Sequence, residues 1–168
     1  MVSSMGEHFP TTGRVQWMGL AAEKRATITS VQQMELCTET GIIGDHHLGG
    51  RKKERQVTLV QAEHLTVVAN LLQHAELQPG ELRRNIVVSG INLLALRNRR
   101  FRIGTALLQG TGHCHPCSRM EENLGPGGYN AMRGHGGITA QVIAPGHIEL
   151  NDDVVLVGDE PYSVEFEE

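Results

Sequence analysis

Short apolar runs, broken by glycine, set the pattern of this chain. Val15 and Trp17 alternate with polar neighbours over Arg14 to Leu20, and a run with Thr27, Ile28 and Thr29 spans Ala26 to Val31. QVTLV follows at Gln56 to Val60 and NIVV at Asn85 to Val88. Phe101, Ile103 and Leu107 alternate over Arg100 to Leu108, and Ile138, Ala140 and Val142 over Ile138 to Ile143. DVVLV closes the series at Asp153 to Val157. Period-two spacing puts one set of side chains on one face, so these runs predict seven strands with a shared core. One segment has helical spacing instead. Over Ala62 to Gln73, Leu65, Val68, Ala69 and Leu72 recur at i, i+3, i+4 and i+7. A shorter helix is predicted after Pro116, with Ser118 as its cap, Glu121 or Glu122 in its first turn and Gly125 at its end. Gly41 to Arg55, Gly110 to Cys117 and Gly125 to Gly137 read as loops. The expected class is mainly β with a few helices (α+β), as a barrel or sandwich.

Composition narrows this reading. The 168 residues suit one domain, and 39% hydrophobic with 20% charged residues is ordinary for a globular chain. Aromatics are scarce, so Val, Ile and Leu must build the core. No apolar run approaches the roughly 18–20 residues that span a bilayer, and no membrane partner is expected. Met1 to Pro10 lacks a basic stretch followed by an apolar one, so no secretory leader is expected and a cytoplasmic location is. Residues 1–12 and 158–168 read as an N-terminal extension and an acidic tail around a domain at 13–157.

Charge and cysteine usage point toward chemistry. The net charge of −4 disfavours nucleic acid as a partner. Positive charge is nevertheless clumped at Arg51 to Arg55, at Arg83-Arg84 and at Arg97 to Arg102, which fits a small anionic ligand such as a phosphate. Three cysteines are too few and odd for a disulfide framework. Two of them stand in Cys114-His115-Pro116-Cys117, at the start of the second predicted helix, where the helix end favours an anionic sulfur. His113, His115 and Arg119 lie close in sequence. Four readings stay open for the pair: a redox couple, half of a zinc site, a single working thiolate, or packed inert thiols. The glycine-rich stretch at 125–137 lacks a Walker sequence. Its backbone N–H groups, with Arg133 and His135, can approach an anion. Arg84 and Asn85 at a strand start suit a phosphate or carboxylate clamp. Gly44-Asp45-His46-His47 reads as a turn, with weak metal-site spacing.

The order of these motifs adds more than any one of them. GIIGDH at Gly41 to His46, RQVTLV at Arg55 to Val60 and PGELRRNI at Pro79 to Ile86 come first. Ile91-Asn92-Leu93, Arg100 to Gly104, TGHCHPC at Thr111 to Cys117 and GHGGITA at Gly134 to Ala140 follow. From about Gly13 to Val157 the chain resembles a stand-alone MOSC domain, named for the C-terminal domain of molybdenum-cofactor sulfurase. The resemblance implies a β-barrel-like fold and a link to molybdenum cofactor (molybdopterin), which a recombinant preparation need not retain. It also implies that Cys117 is the catalytic metal ligand and that Arg84 and Asn85 lie near the pterin. Taken with the glycine-rich loop, the expected cofactor-binding set is Arg84, Asn85, His113, Arg133, Gly134, His135 and Gly136. Family members include reductases of N-hydroxylated compounds, and others are proposed sulfur carriers. These residues contain no companion barrel or ferredoxin-like tail of the kind some larger relatives carry, so a reductase of this type is expected to use an external electron-donor reductase. The alternative is a non-catalytic sulfur carrier or cofactor-transfer protein with Cys117 as sulfur acceptor.

Overall fold

The computed structural model describes residues 5–46 and 52–158. Expectations for His47, Arg51 and the acidic tail from 159 onward lie outside those residues. Seven strands close into a barrel, in the order β1 (Gly13–Leu20), β11 (Asp153–Gly158), β7 (Arg100–Ile103), β8 (Ala106–His113), β9 (Ile138–Ala144), β5 (Val57–Gln61), β6 (Ile86–Ser89) and back to β1. Closure leaves no unpaired edge among these seven. All neighbours are antiparallel except β5 and β6, which run parallel. A parallel pair needs a crossover, and α1 (Ala62–Leu72) supplies it. A two-residue strand β2 (Thr29–Ser30) pairs onto β1, and a separate small sheet holds β10 (Gly146–Glu149), β3 (Gln33–Cys37) and β4 (Gly41–Ile42).

Two apolar clusters hold the fold together. Val15, Val57, Leu59, Ile86, Val88, Phe101, Leu108, Ile138, Val142 and Val154 belong to the barrel cluster. Val60 and Val87, next in sequence to barrel residues, instead join Val68, Leu82, Met120, Leu124 and Met132 in a second cluster under the helices. Every residue of β5 is therefore buried, because one face meets the barrel and the other meets helices. Among the described residues, no helix is long and apolar enough to cross a membrane.

Several expectations need correction. Arg100 to Leu108 is not one strand but the start of the β7–β8 hairpin, which turns at Gly104 with φ 55°. Ala26 to Val31 keeps only Thr29 and Ser30 as strand, and the residues before them run irregularly. The small sheet was not foreseen, since β10 reads GHIE with one buried apolar side chain, Ile148. The glycine-rich loop contains a five-residue helix, α3 (Gly128–Met132), which Gly127 enters at φ 92°. Glycine is a poor helix former, and α3 is held by burying Ala131 and Met132. Helix α2 (Ser118–Leu124) forms as predicted and ends at Gly125, but its N-cap is Cys117 rather than Ser118. Glu121 caps not its own helix but the next one, accepting from Gly127 N at 2.7 Å and Tyr129 N at 3.0 Å. These two bonds hold its carboxyl below the usual range.

Candidate anion and thiol cleft

The site is organised by the turn that feeds β6. Residues Pro79–Leu82 form one 3-10 turn, and Arg83 leaves it in the left-handed conformation at φ 54°. That reversal sends three consecutive side chains to three different walls. Arg83 Nη1 donates to the Ala26 carbonyl at 2.8 Å and ties down the irregular stretch before β2. Arg84 is buried, and its Nε, Nη1 and Nη2 donate to the carbonyls of Gly136 (2.9 Å), Leu82 (3.1 Å) and Cys114 (3.2 Å). Asn85 Oδ1 accepts from Thr58 N at 3.1 Å and Thr58 Oγ1 at 3.0 Å, and its Nδ2 donates to Gly19 O at 3.3 Å.

Around this turn lies a cleft of about 260 Å³. Lys24, Arg25, Arg83, Arg84 and Arg119 line it, against the single carboxylate of Asp45 among the described residues. Ile28, Thr58, Met120 and Cys117 complete the walls, with His46 beside Asp45. Asp45 is itself buried and accepts from Ala21 N at 3.0 Å. Burial and the nearby Arg119 charge lower the pKa of Arg83, while Asp45 and Cys117 act in the opposite sense. Crowded cations of this kind favour an incoming anion.

The structure breaks the symmetry of the two cysteines. Cys114 is buried, whereas Cys117 is exposed and opens into the cationic cleft; all three cysteines are free thiols. No group of three or more His, Cys, Asp or Glu side chains converges as a metal cluster among the described residues, so the half-zinc reading gains no further ligands there. A second cleft of about 150 Å³ is lined by His113, Cys114, His115, Pro116, Gly134, Gly136 and Gly137, and Arg84 donates to the carbonyls of two of them, Cys114 and Gly136.

The expected site residues therefore divide. Cys117, Arg84 and Asn85 line the first cleft, and His113, Gly134 and Gly136 line the second. Arg133 and His135 line neither. Arg133 is exposed after α3. His135 Nδ1 lies 3.0 Å from the Ala131 carbonyl, and its ring meets His64 edge to face at 4.9 Å. Burial, and then His135, depress the His64 pKa, while Glu63 opposes them. Sequence reasoning missed Lys24 and Arg25, whose only signal was a basic pair in a stretch that reads as the approach to a strand.

A family model for the MOSC domain matches residues 44–155, more than half of the chain. The chain belongs to the MOSC domain family. The structure of this MOSC protein is similar to the crystal structure of the YuaD protein from Bacillus subtilis, with a TM-score of 0.76 and 22% identity over 86% of this chain and 94% of that one. YiiM from Geobacillus stearothermophilus superposes with a TM-score of 0.72 and 18% identity, covering 87% of this chain and 75% of that one. YiiM from Escherichia coli gives 0.69 and 21%, covering 89% and 71%. At these identities the likeness concerns the fold. No curated protein matches the sequence.

Proposed function

We propose that this MOSC protein binds molybdenum cofactor in the cationic cleft and reduces N-hydroxylated compounds with electrons from an external donor. The observation that carries the reading is the exposed Cys117 thiol opening into a cleft lined by five cationic side chains. The donor set fits the group. A soft thiolate suits a thiophilic metal, and guanidinium forks suit a phosphate. In this reading Cys117 ligates the metal, while Lys24, Arg25, Arg83 and Arg119 neutralise the phosphate. Arg84 and Asn85 act differently from a direct clamp. Their bonds to Gly136, Cys114, Thr58 and Gly19 hold the walls in register, so the cleft stays shaped without ligand.

When bound, the cofactor supplies a metal that exchanges an oxygen atom and two electrons. Conversion of a hydroxylamine to an amine consumes two electrons and two protons and releases water, and in this reading an electron-donor reductase supplies the electrons. Purification from a cofactor-sufficient host tests the reading. Molybdenum per chain should approach one in the wild type and fall sharply in Cys117→Ala and Arg83→Gln. Absence of molybdenum, or equal content in all three, overturns it. Exposure of Cys117 beside a buried Cys114 also supports the second reading, a sulfur carrier. That reading expects one added sulfur atom on Cys117 by mass spectrometry after exposure to a sulfur donor.

A further inference from the structure

We propose that His113 and His115 form a separate binding site for a borderline divalent transition-metal ion, in a cleft that shares no lining residue with the Cys117 cleft. β8 ends at His113, and the chain from there to Cys117 has no regular structure. Alternation along it turns Cys114 inward, where it is buried, and leaves His113 and His115 exposed as neighbours in one cleft. The intervening residue is pinned on both sides. Cys114 N donates to Gly137 O at 2.9 Å, and Cys114 O accepts from Arg84 Nη2 at 3.2 Å. The imidazoles thus stand on a held backbone, which lowers the entropy lost on chelation.

Their spacing suits a shared ion. The two ring centroids are 5.6 Å apart with planes at 38°. Two imidazoles on one tetrahedral ion, with metal–nitrogen bonds of ~2.0–2.1 Å, place their centroids about 5 Å apart, so small side-chain rotations close the difference. Neither imidazole hydrogen-bonds to protein among the described residues, which leaves ring nitrogens available. The cleft of about 150 Å³ beside them has room for the waters that would complete the shell. Imidazole selects copper(II), nickel, zinc and cobalt over magnesium and calcium. An ion held here would tie the end of β8 to the stretch that carries Cys117.

Calorimetry on metal-stripped protein tests the site, with zinc and nickel as probes and magnesium as control, in wild type, Cys117→Ser, His113→Ala and His115→Ala. One equivalent should bind the wild type and Cys117→Ser alike, and magnesium should not compete. Each histidine substitution should weaken binding by at least about tenfold. Metal should also raise the melting temperature of the wild type but of neither histidine variant. Both histidines are exposed, so unchanged melting without metal checks that the variants fold. No binding, binding lost in Cys117→Ser, or either histidine variant binding as the wild type does would overturn the assignment. None of these outcomes bears on whether the Cys117 cleft takes a cofactor.

Discussion

Arg84 links two clefts of different make. In one, Cys117 and Arg119 from the start of α2 meet Arg83 from the β6 turn, Lys24 and Arg25 from the stretch before β2, and Asp45 from beyond β4. In the other, two short segments suffice: 113–116, with its two imidazoles, and the glycines of 134–137. The first cleft is a meeting of side chains from distant sequence; the second is built by two short segments of chain. Arg84 belongs to both, because it lines the first cleft while its guanidinium binds the carbonyls of Cys114 and Gly136 from the second. A change at Arg84 should therefore disturb both clefts, while changes elsewhere should disturb one.

The largest effect should come from Arg84→Ala. It removes the donor to three carbonyls at a buried position and should cost about 3–5 kcal/mol in urea unfolding. Arg84→Lys should recover little of this, since a point charge cannot reach three carbonyls in different directions. If Arg84→Ala unfolds like the wild type, the two clefts are independent and the comparison fails. Arg83→Gln should act on one side alone. Affinity for inorganic phosphate, by calorimetry, should fall by about tenfold, or about 1.4 kcal/mol, with the second cleft unchanged.

The cysteines sharpen the contrast further. Cys114→Ser buries a hydroxyl and should cost about 1–2 kcal/mol, whereas Cys117→Ser should stay within about 0.5 kcal/mol. Native-state alkylation should modify Cys117 quickly and spare Cys114. The smallest effect concerns His64, which packs on His135 of the glycine-rich loop. Its folded pKa lies below the ordinary value of 6.5, so the unfolded chain binds more protons in the window between the two. Its contribution to stability is full above the unfolded value and is lost as pH falls from there through the folded value. The urea midpoint should be lower at pH 5 than at pH 7, and His64→Gln should reduce that difference.

Much of the barrel was legible. β1, β5, β6, β9 and β11 lie close to their predicted spans, because each carries at least one β-branched residue in a run that one or two apolar faces must bury. The small sheet was not legible, since β3 and β10 mix charged and apolar residues and owe their pairing to Met34, Leu36 and Ile148 meeting in the barrel cluster. Within the site, Cys117 and the Arg83-Arg84-Asn85 run stood out, because unusual residue types cluster there in sequence. Lys24 and Arg25 did not, as a basic pair on an irregular stretch looks the same on any solvated surface.

The sequence alone determined that strands of alternating and β-branched residues must share a core, that one helix lies between β5 and β6, and that a cysteine pair stands just before a short helix. Only the tertiary structure decided which cysteine meets solvent and which cleft each candidate lines. It also placed His135 against His64, away from both clefts. The reason is physical. Period and composition report which face of a segment is buried, but a left-handed residue such as Arg83, or a reversal at Gly134 and Gly137, redirects the neighbouring side chains. The outcome there depends on the carbonyls and rings that other segments bring alongside.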